Sequence, residues 1–368
     1  MDRRIKKIVI SGYYGFHNSG DEAVLQSILL ALESEGEKQG IRIEPIVLSG
    51  DPAWTEETYK VKAVHRMKMG RVLSAIRSSD GLVSGGGSLL QDATGRMTIP
   101  YYLGILNLAQ WLGKPTFVYS QGIGPVNRSS YFPWIRRVFA KSRYVSVRDV
   151  ESAQLLKRMG LARDAEVVPD PVMGLPLRGV PLSAEADLPT VGVSVRFWNE
   201  DRSELEGLAR SLDRLVEAKQ VKIRFLPFHL PSDVEASREV IKRMKKAGKA
   251  ILEVAEGVEH PQDMLAEVSA CSLLIGMRLH SLIYAASQSV PLIGISYDPK
   301  IDQFLNRLGM KAAASVTGFD SDGLAAEAVR VLENKTQWAE EKREAIERLK
   351  REAQRPAREI AAFLTNER

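Results

Sequence analysis

Short apolar runs alternate with longer amphipathic segments along the whole chain. Ten runs read as strands: 6–11, 42–48, 81–84, 115–120 and 144–147, then 190–195, 222–227, 250–254, 272–276 and 291–296. Several are apolar at nearly every position, the pattern of parallel strands covered by helices on both faces. The intervening segments have helical period; in the first, Val24, Leu25, Ile28, Leu29 and Leu32 fall on one face. This alternation predicts an α/β, doubly wound fold. Between Asp170 and Pro189 the pattern stops, and Pro171, Pro176, Pro181 and Pro189 punctuate the stretch. Two Rossmann-like domains in tandem are therefore expected, 1–172 and 190–335, joined by a proline-rich linker over 173–189. A charged helical segment, 336–368, follows, which Pro356 must kink or break. Ligands are expected at the carboxyl ends of the strands and between the domains.

The 368 residues are 44% hydrophobic, 26% charged and 7% aromatic, which excludes disordered and collagen-like chains. No apolar run approaches the roughly 18 to 20 residues of a membrane span, and the run after Arg3, Arg4, Lys6 and Lys7 is too short for a secretory signal. A cytoplasmic location is expected. The single cysteine, Cys271, sits in an apolar run that suits a buried strand residue better than a nucleophile. The net charge of +5 is uneven: residues 1–180 carry 24 Lys and Arg against 17 Asp and Glu, the remainder 27 against 29. Residues 60–77 hold six basic side chains and no acidic one, interleaved with Val64, Met67, Met69, Val72, Leu73 and Ile76. Such a stretch is either a solvated helix face or a surface drawn to an anionic membrane. Nucleic acid is not an expected partner, because no RNA-binding, zinc-finger or basic-zipper pattern is present.

Three loops follow strands of the first domain. In Ser11-Gly12-Tyr13-Tyr14-Gly15-Phe16-His17-Asn18-Ser19-Gly20-Asp21-Glu22, Gly20 is followed by Asp21 rather than Lys-Ser/Thr, so this is no Walker loop, and the glycine spacing is not that of a dinucleotide turn. Ser19 and Glu22 match a capping box. Asp21 and Glu22 put negative charge where a helix start would attract phosphate, which favours a neutral, hydroxyl-rich ligand, with Tyr14 and Phe16 as flat faces for a sugar ring. Ser84-Gly85-Gly86-Gly87-Ser88-Leu89-Leu90-Gln91-Asp92 allows close backbone approach. The third, Gln121-Gly122-Ile123-Gly124-Pro125, also reads as a plain turn. Tyr14, Phe16, Asn18, Gly86 and Gln91 are the candidate acceptor contacts.

The second domain offers different chemistry at its strand ends: Arg196, His229, Arg278, His280 and Lys300, with Arg148 closing the first domain. Together they suit a small, strongly anionic ligand, since Arg pairs with planar anions and His moves protons near neutrality. Asp320-Ser321-Asp322 reads as a turn and cap rather than a metal motif. Neither a metal nor a cofactor is expected.

In combination and order, Gly12 to Glu22, Gly85-Gly86-Gly87-Ser88, Ser120-Gln121-Gly122-Ile123-Gly124-Pro125, Val147-Arg148-Asp149, Pro169-Asp170-Pro171 and Gly276-Met277-Arg278-Leu279-His280 make the sequence resemble the polysaccharide pyruvyltransferase family, closely its CsaB type acting on secondary cell-wall polymers. The resemblance implies a glycosyltransferase B type fold, phosphoenolpyruvate as donor, and a lipid-diphosphate-linked saccharide containing N-acetylmannosamine as acceptor, at the inner face of the cell membrane. It also implies that Arg148, His280 and Lys300 serve the donor and that Tyr14 and Phe16 lie at the acceptor. On this view His280 protonates the donor's methylene carbon, sugar hydroxyls form a 4,6-ketal, and Arg148, Arg278 and Lys300 hold carboxylate and phosphate. Two alternatives stay open: a nucleotide-sugar glycosyltransferase of the same fold, and a non-catalytic saccharide-binding protein.

Overall fold

The computed structural model describes residues 4–93, 95–178, 188–258 and 260–366. Contacts divide the chain into two compact units, Met1–Leu175 with Leu349–Arg368, and Pro176–Arg348. The division falls in the proline-rich stretch, of which 179–187, including Pro181, lie outside the described residues.

In chain order the first unit holds β1 (Arg4–Ser11), α1 (Ser19–Lys38), β2 (Ile41–Ser49), α2 (Pro52–Tyr59), β3 (Lys62–His65), α3 (Met69–Arg77), β4 (Gly81–Ser84), β5 (Gly87–Leu90), α4 (Thr98–Trp111), β6 (Thr116–Ile123), α5 (Phe132–Lys141), β7 (Tyr144–Val147), α6 (Val150–Arg158) and β8 (Glu166–Val167). Its strands are parallel in the order β3-β2-β1-β4-β6-β7-β8, with β5 also on β6. Ile8, Val9, Ile10, Val47, Leu48, Leu82 and Val83 are fully buried, as a sheet covered on both faces requires.

The second unit runs β9 (Thr190–Ser194), α7 (Ser203–Ala218), β10 (Lys222–Phe225), α8 (Ser232–Arg243), β11 (Ile251–Val254), α9 (Pro261–Ser269), β12 (Leu273–Gly276), α10 (Leu279–Ser287), β13 (Leu292–Ser296), α11 (Pro299–Arg307), β14 (Ala314–Ser315) and α12 (Ser321–Glu333). Its parallel order, β11-β10-β9-β12-β13-β14, reverses direction between β9 and β12, the doubly wound arrangement. Asp320 caps α12 by accepting from Gly323 N at 2.9 Å.

Helices α13 (Lys335–Ala353) and α14 (Arg355–Asn366) end the chain, and Pro356 in the first turn of α14 makes the expected break. They are not a separate appendage: residues from Leu349 belong to the first unit. There α14 buries Ile360, Ala361 and Leu364 and packs on α1, β6 and β7. Burial of that apolar face offsets the loss of solvent contact by a charged helix.

The basic stretch 60–77 is not one amphipathic helix. Lys60 ends α2 in a left-handed conformation, Lys62 lies in β3, and only Met69–Arg77 is helical, burying Val72, Ala75 and Ile76. No described helix is long and apolar enough to cross a membrane.

Candidate active site

In the first unit the loop after β1 is tied down from beneath. Glu22, almost fully buried, accepts from Gly15 N at 2.8 Å, from Phe16 N at 3.3 Å and from Tyr59 OH at 2.9 Å. The expected Ser19–Glu22 capping box is therefore absent; Asn18 caps α1 instead, accepting from Gly20 N at 3.1 Å. That engages Asn18 in helix structure. Burial, outweighing these hydrogen bonds, raises the pKa of Glu22 to about 7, which leaves Asp21 as the full negative charge of the first turn.

A titration follows. Between the ordinary value of 4.5 and about 7 the folded chain keeps a proton that the unfolded chain has released, so the stability contributed by Glu22 falls as pH rises through that window. The full change is on the order of 3 kcal/mol. Glu22→Gln is expected to flatten this part of the pH–stability profile, read by urea denaturation of both chains across the window; parallel profiles would exclude Glu22 as the titrating group.

Tyr14 is not a sugar platform. It is fully buried, and a Cβ on Gly12 would meet its ring at 2.2 Å, one on Gly85 its hydroxyl at 2.1 Å. Those glycines make room for this protein's own tyrosine. The exposed faces are Tyr13 and Phe16, stacked on each other at 4.1 Å with 9° between planes. Arg66, at the end of β3, lies over Phe16, Tyr101 and Tyr102 at 5.4, 4.3 and 5.3 Å. Of the other acceptor candidates, Gly86 is buried with a Cβ position 2.9 Å from Val24 Cγ1, and Gln91 Oε1 accepts from Ala93 N at 2.9 Å.

Four of the sequence motifs converge on one guanidinium. Arg148, its side chain 8% exposed, donates to Ser88 Oγ at 2.7 Å and lies 3.6 Å from Asp149 Oδ2 and 3.8 Å from Asp170 Oδ2. A Cβ on Gly122 would meet its Nε at 2.9 Å. The glycine loop, Gln121-Gly122, which lies in β6 rather than in the expected turn, Arg148-Asp149 and Asp170 thus form a single buried cluster. Expected as a donor ligand, Arg148 is engaged by carboxylates of its own unit, because both carboxylates are themselves poorly solvated.

In the second unit Arg196, His229, His280 and Lys300 follow β9, β10, β12 and β13, neighbours in the sheet, so all four lie at its carboxyl end. Arg196 donates to Tyr297 OH at 2.9 Å and lies over the rings of Trp198 and Tyr297 at 5.1 and 4.9 Å. Among the described residues no carboxylate pairs with it. Arg278 differs: Nε donates to Asp233 Oδ2 at 3.0 Å and Nη2 to Oδ1, and Asp233 Oδ2 also accepts from His229 N at 3.0 Å. Asp233 is fully buried, so Arg278 neutralises it and braces the turn carrying His229 rather than offering an open fork. His280 is half-buried in the first turn of α10, a helix with no side-chain cap. Lys300 opens α11, its N donating to Asp298 Oδ1 at 3.0 Å and its Nζ 3.9 Å from Asp298 Oδ2. Cys271 is buried, its thiol pushed up to about 12 by burial, and it lies 2.8 Å from a Cβ position on Gly192, which suits packing.

A recess of about 1200 Å³ in the first unit, along β2 where β3 stops short, is lined by none of the candidate donor or acceptor residues.

The fold is shared with several solved structures. Similar structures are a glycosyltransferase from Rickettsia africae ESF-5 (TM-score 0.64, 11% identity, 100% of both chains covered), Anabaena Alr3699/HepE in complex with UDP-glucose (0.63, 12%, 97% of this chain and 98% of that one) and a UDP-GlcNAc 2-epimerase from Neisseria meningitidis (0.60, 11%, 91% and 93%). The fold is of the glycosyltransferase B type. No curated protein sequence matches the chain. The family description "Polysaccharide pyruvyl transferase" matches residues 18–299, and the chain belongs to that family of transferases.

Proposed function

We propose that the chain transfers pyruvyl from phosphoenolpyruvate to a lipid-diphosphate-linked saccharide, forming a 4,6-ketal on N-acetylmannosamine. The observation that carries this is the row of Arg196, His229, His280 and Lys300 at adjacent strand ends, with Arg196 held by rings and, among the described residues, by no carboxylate. Such a row suits a small polyanion. Arg196 pairs with its carboxylate, and Lys300 and the uncapped start of α10 face its phosphate.

His280 donates a proton to the methylene carbon, developing positive charge at the carbon that bears phosphate. A sugar hydroxyl adds there and returns its proton to His280. The carbon–phosphate oxygen bond then breaks with its electron pair on phosphate, and the second hydroxyl closes the ring, its proton leaving with phosphate. Arg148 positions the glycine loop through Ser88, and Phe16 with Tyr13 receives the sugar. Arg278 supports His229.

Thermal denaturation with single ligands tests the donor. Phosphoenolpyruvate at about a hundred times its dissociation constant is expected to stabilise by about 2.7 kcal/mol, and Arg196→Ala to abolish most of the shift. Stabilisation by a nucleotide-diphosphate sugar instead would transfer the site to the glycosyltransferase reading; stabilisation by neither would favour a saccharide-binding protein.

A further inference from the structure

The turn between β3 and α3 has no part in the chemistry above, yet it is tightly built. Arg66 N donates to Ser49 O at 2.9 Å, Lys68 N to His65 O at 2.9 Å, Met67 N to His65 Nδ1 at 3.2 Å and Met69 N to Met67 O at 3.1 Å. This framework holds Met67 65% exposed and Met69 50% exposed, with Lys68 between them and Arg66 and Arg71 beside them. Held in water, two methionines are an unfavourable arrangement that folding of the unit does not relieve.

The cations of this turn, Arg66, Lys68 and Arg71, have no carboxylate partners among the described residues. Arg66 hydrogen-bonds Gly12 O and Tyr102 OH and lies over three rings. Some exposed cations elsewhere do pair, as Arg214 with Asp322 and Arg330 with Glu327. The apolar character continues onto the neighbouring loops: Tyr13 and Phe16 lie beside Arg66, and Met97, 72% exposed, is one helical turn ahead of Tyr101, whose ring Arg66 covers.

Flexible, unbranched apolar side chains interleaved with unpaired cations and free of acid complement a plane that is oily within and anionic at its surface. We infer that residues 65–71 attach the protein to an anionic lipid bilayer, Met67 and Met69 entering the interface while Lys68 and Arg71 meet headgroup phosphates. The inference goes beyond the transfer reaction and does not depend on it, because binding to vesicles needs no turnover.

The test is cosedimentation of the full chain with vesicles of phosphatidylcholine, with and without phosphatidylglycerol, at low salt. Binding is expected only with the anionic lipid, weakening as salt rises. Each basic residue near the surface is worth about fivefold in partitioning, so Lys68→Glu with Arg71→Glu is expected to lower binding at least about 25-fold. Met67→Ser with Met69→Ser is expected to lower it about tenfold while leaving the salt dependence. Arg214→Glu with Arg330→Glu, at exposed sites in the other unit, makes the same change in net charge and is expected to bind nearly as the parent. No binding to anionic vesicles, or equal losses in the Arg214/Arg330 and Lys68/Arg71 variants, would overturn the inference. So would sedimentation velocity without lipid showing self-association that the methionine substitutions abolish, which would assign the patch to a second copy of the chain.

Discussion

Arg148→Ala is expected to destabilise the first unit by about 3–5 kcal/mol, because it leaves two poorly solvated carboxylates without their counter-charge. Asp149 and Asp170 are 15% and 4% exposed at their side chains. Each also holds backbone in place: Asp149 Oδ1 accepts from Ser152 N at 2.7 Å, and Asp170 Oδ1 from Val172 N at 3.1 Å. Loss of the guanidinium therefore loosens the start of α6 and the turn after β8 together. Arg148→Lys keeps a charge but cannot reach Ser88 and two carboxylates as a fork does, so it is expected to recover only part of the loss. Denaturant unfolding followed by a probe in each unit measures this; an unchanged midpoint for the first unit in Arg148→Ala would remove the residue from the structural role assigned to it.

His280→Ala is expected to fail in the opposite way, with stability nearly unchanged and turnover down about 10²- to 10⁴-fold, the usual contribution of a general acid. The side chain is half-buried at a helix start, so its truncation leaves no large cavity. Donor binding should survive, because Arg196 and Lys300 remain. Single-turnover rates and donor calorimetry separate the two quantities. Normal turnover in His280→Ala would exclude the histidine from proton transfer.

The fold was legible in the sequence where strands are buried on both faces, since a run such as Ile8, Val9 and Ile10 has few other uses. Strands β3, β5, β8 and β14 were not, being two to four residues long and, in β5, opened by Gly87. Glycine motifs marked where something approaches the backbone but not what approaches. At Gly12 and Gly85 it is Tyr14, and at Gly122 it is Arg148, side chains of the same unit rather than a ligand. A lone sequence offers no signal to distinguish these cases, because a glycine is needed in both. The Arg66 cluster escaped for a different reason: Phe16 and Arg66 come from two loops and Tyr101 from α4, which only the parallel strand order brings together. The Asp233–Arg278 pair, 45 positions apart, likewise becomes visible only when β9, β10 and β12 are placed side by side. A carboxylate near His229 was the one available hint that a strand-end arginine had a partner at home.

Pyruvyl transfer is tested most directly by running the reaction in deuterated water with phosphoenolpyruvate and a lipid-diphosphate-linked saccharide ending in N-acetylmannosamine, then determining the product by mass spectrometry and NMR. The expected product is an acceptor heavier by one pyruvate less one water, with one phosphate released per product and a ketal methyl group carrying one deuterium from solvent. A product that keeps the donor's methylene group, or transfer of a sugar from a nucleotide donor with phosphoenolpyruvate untouched, would contradict the proposed function.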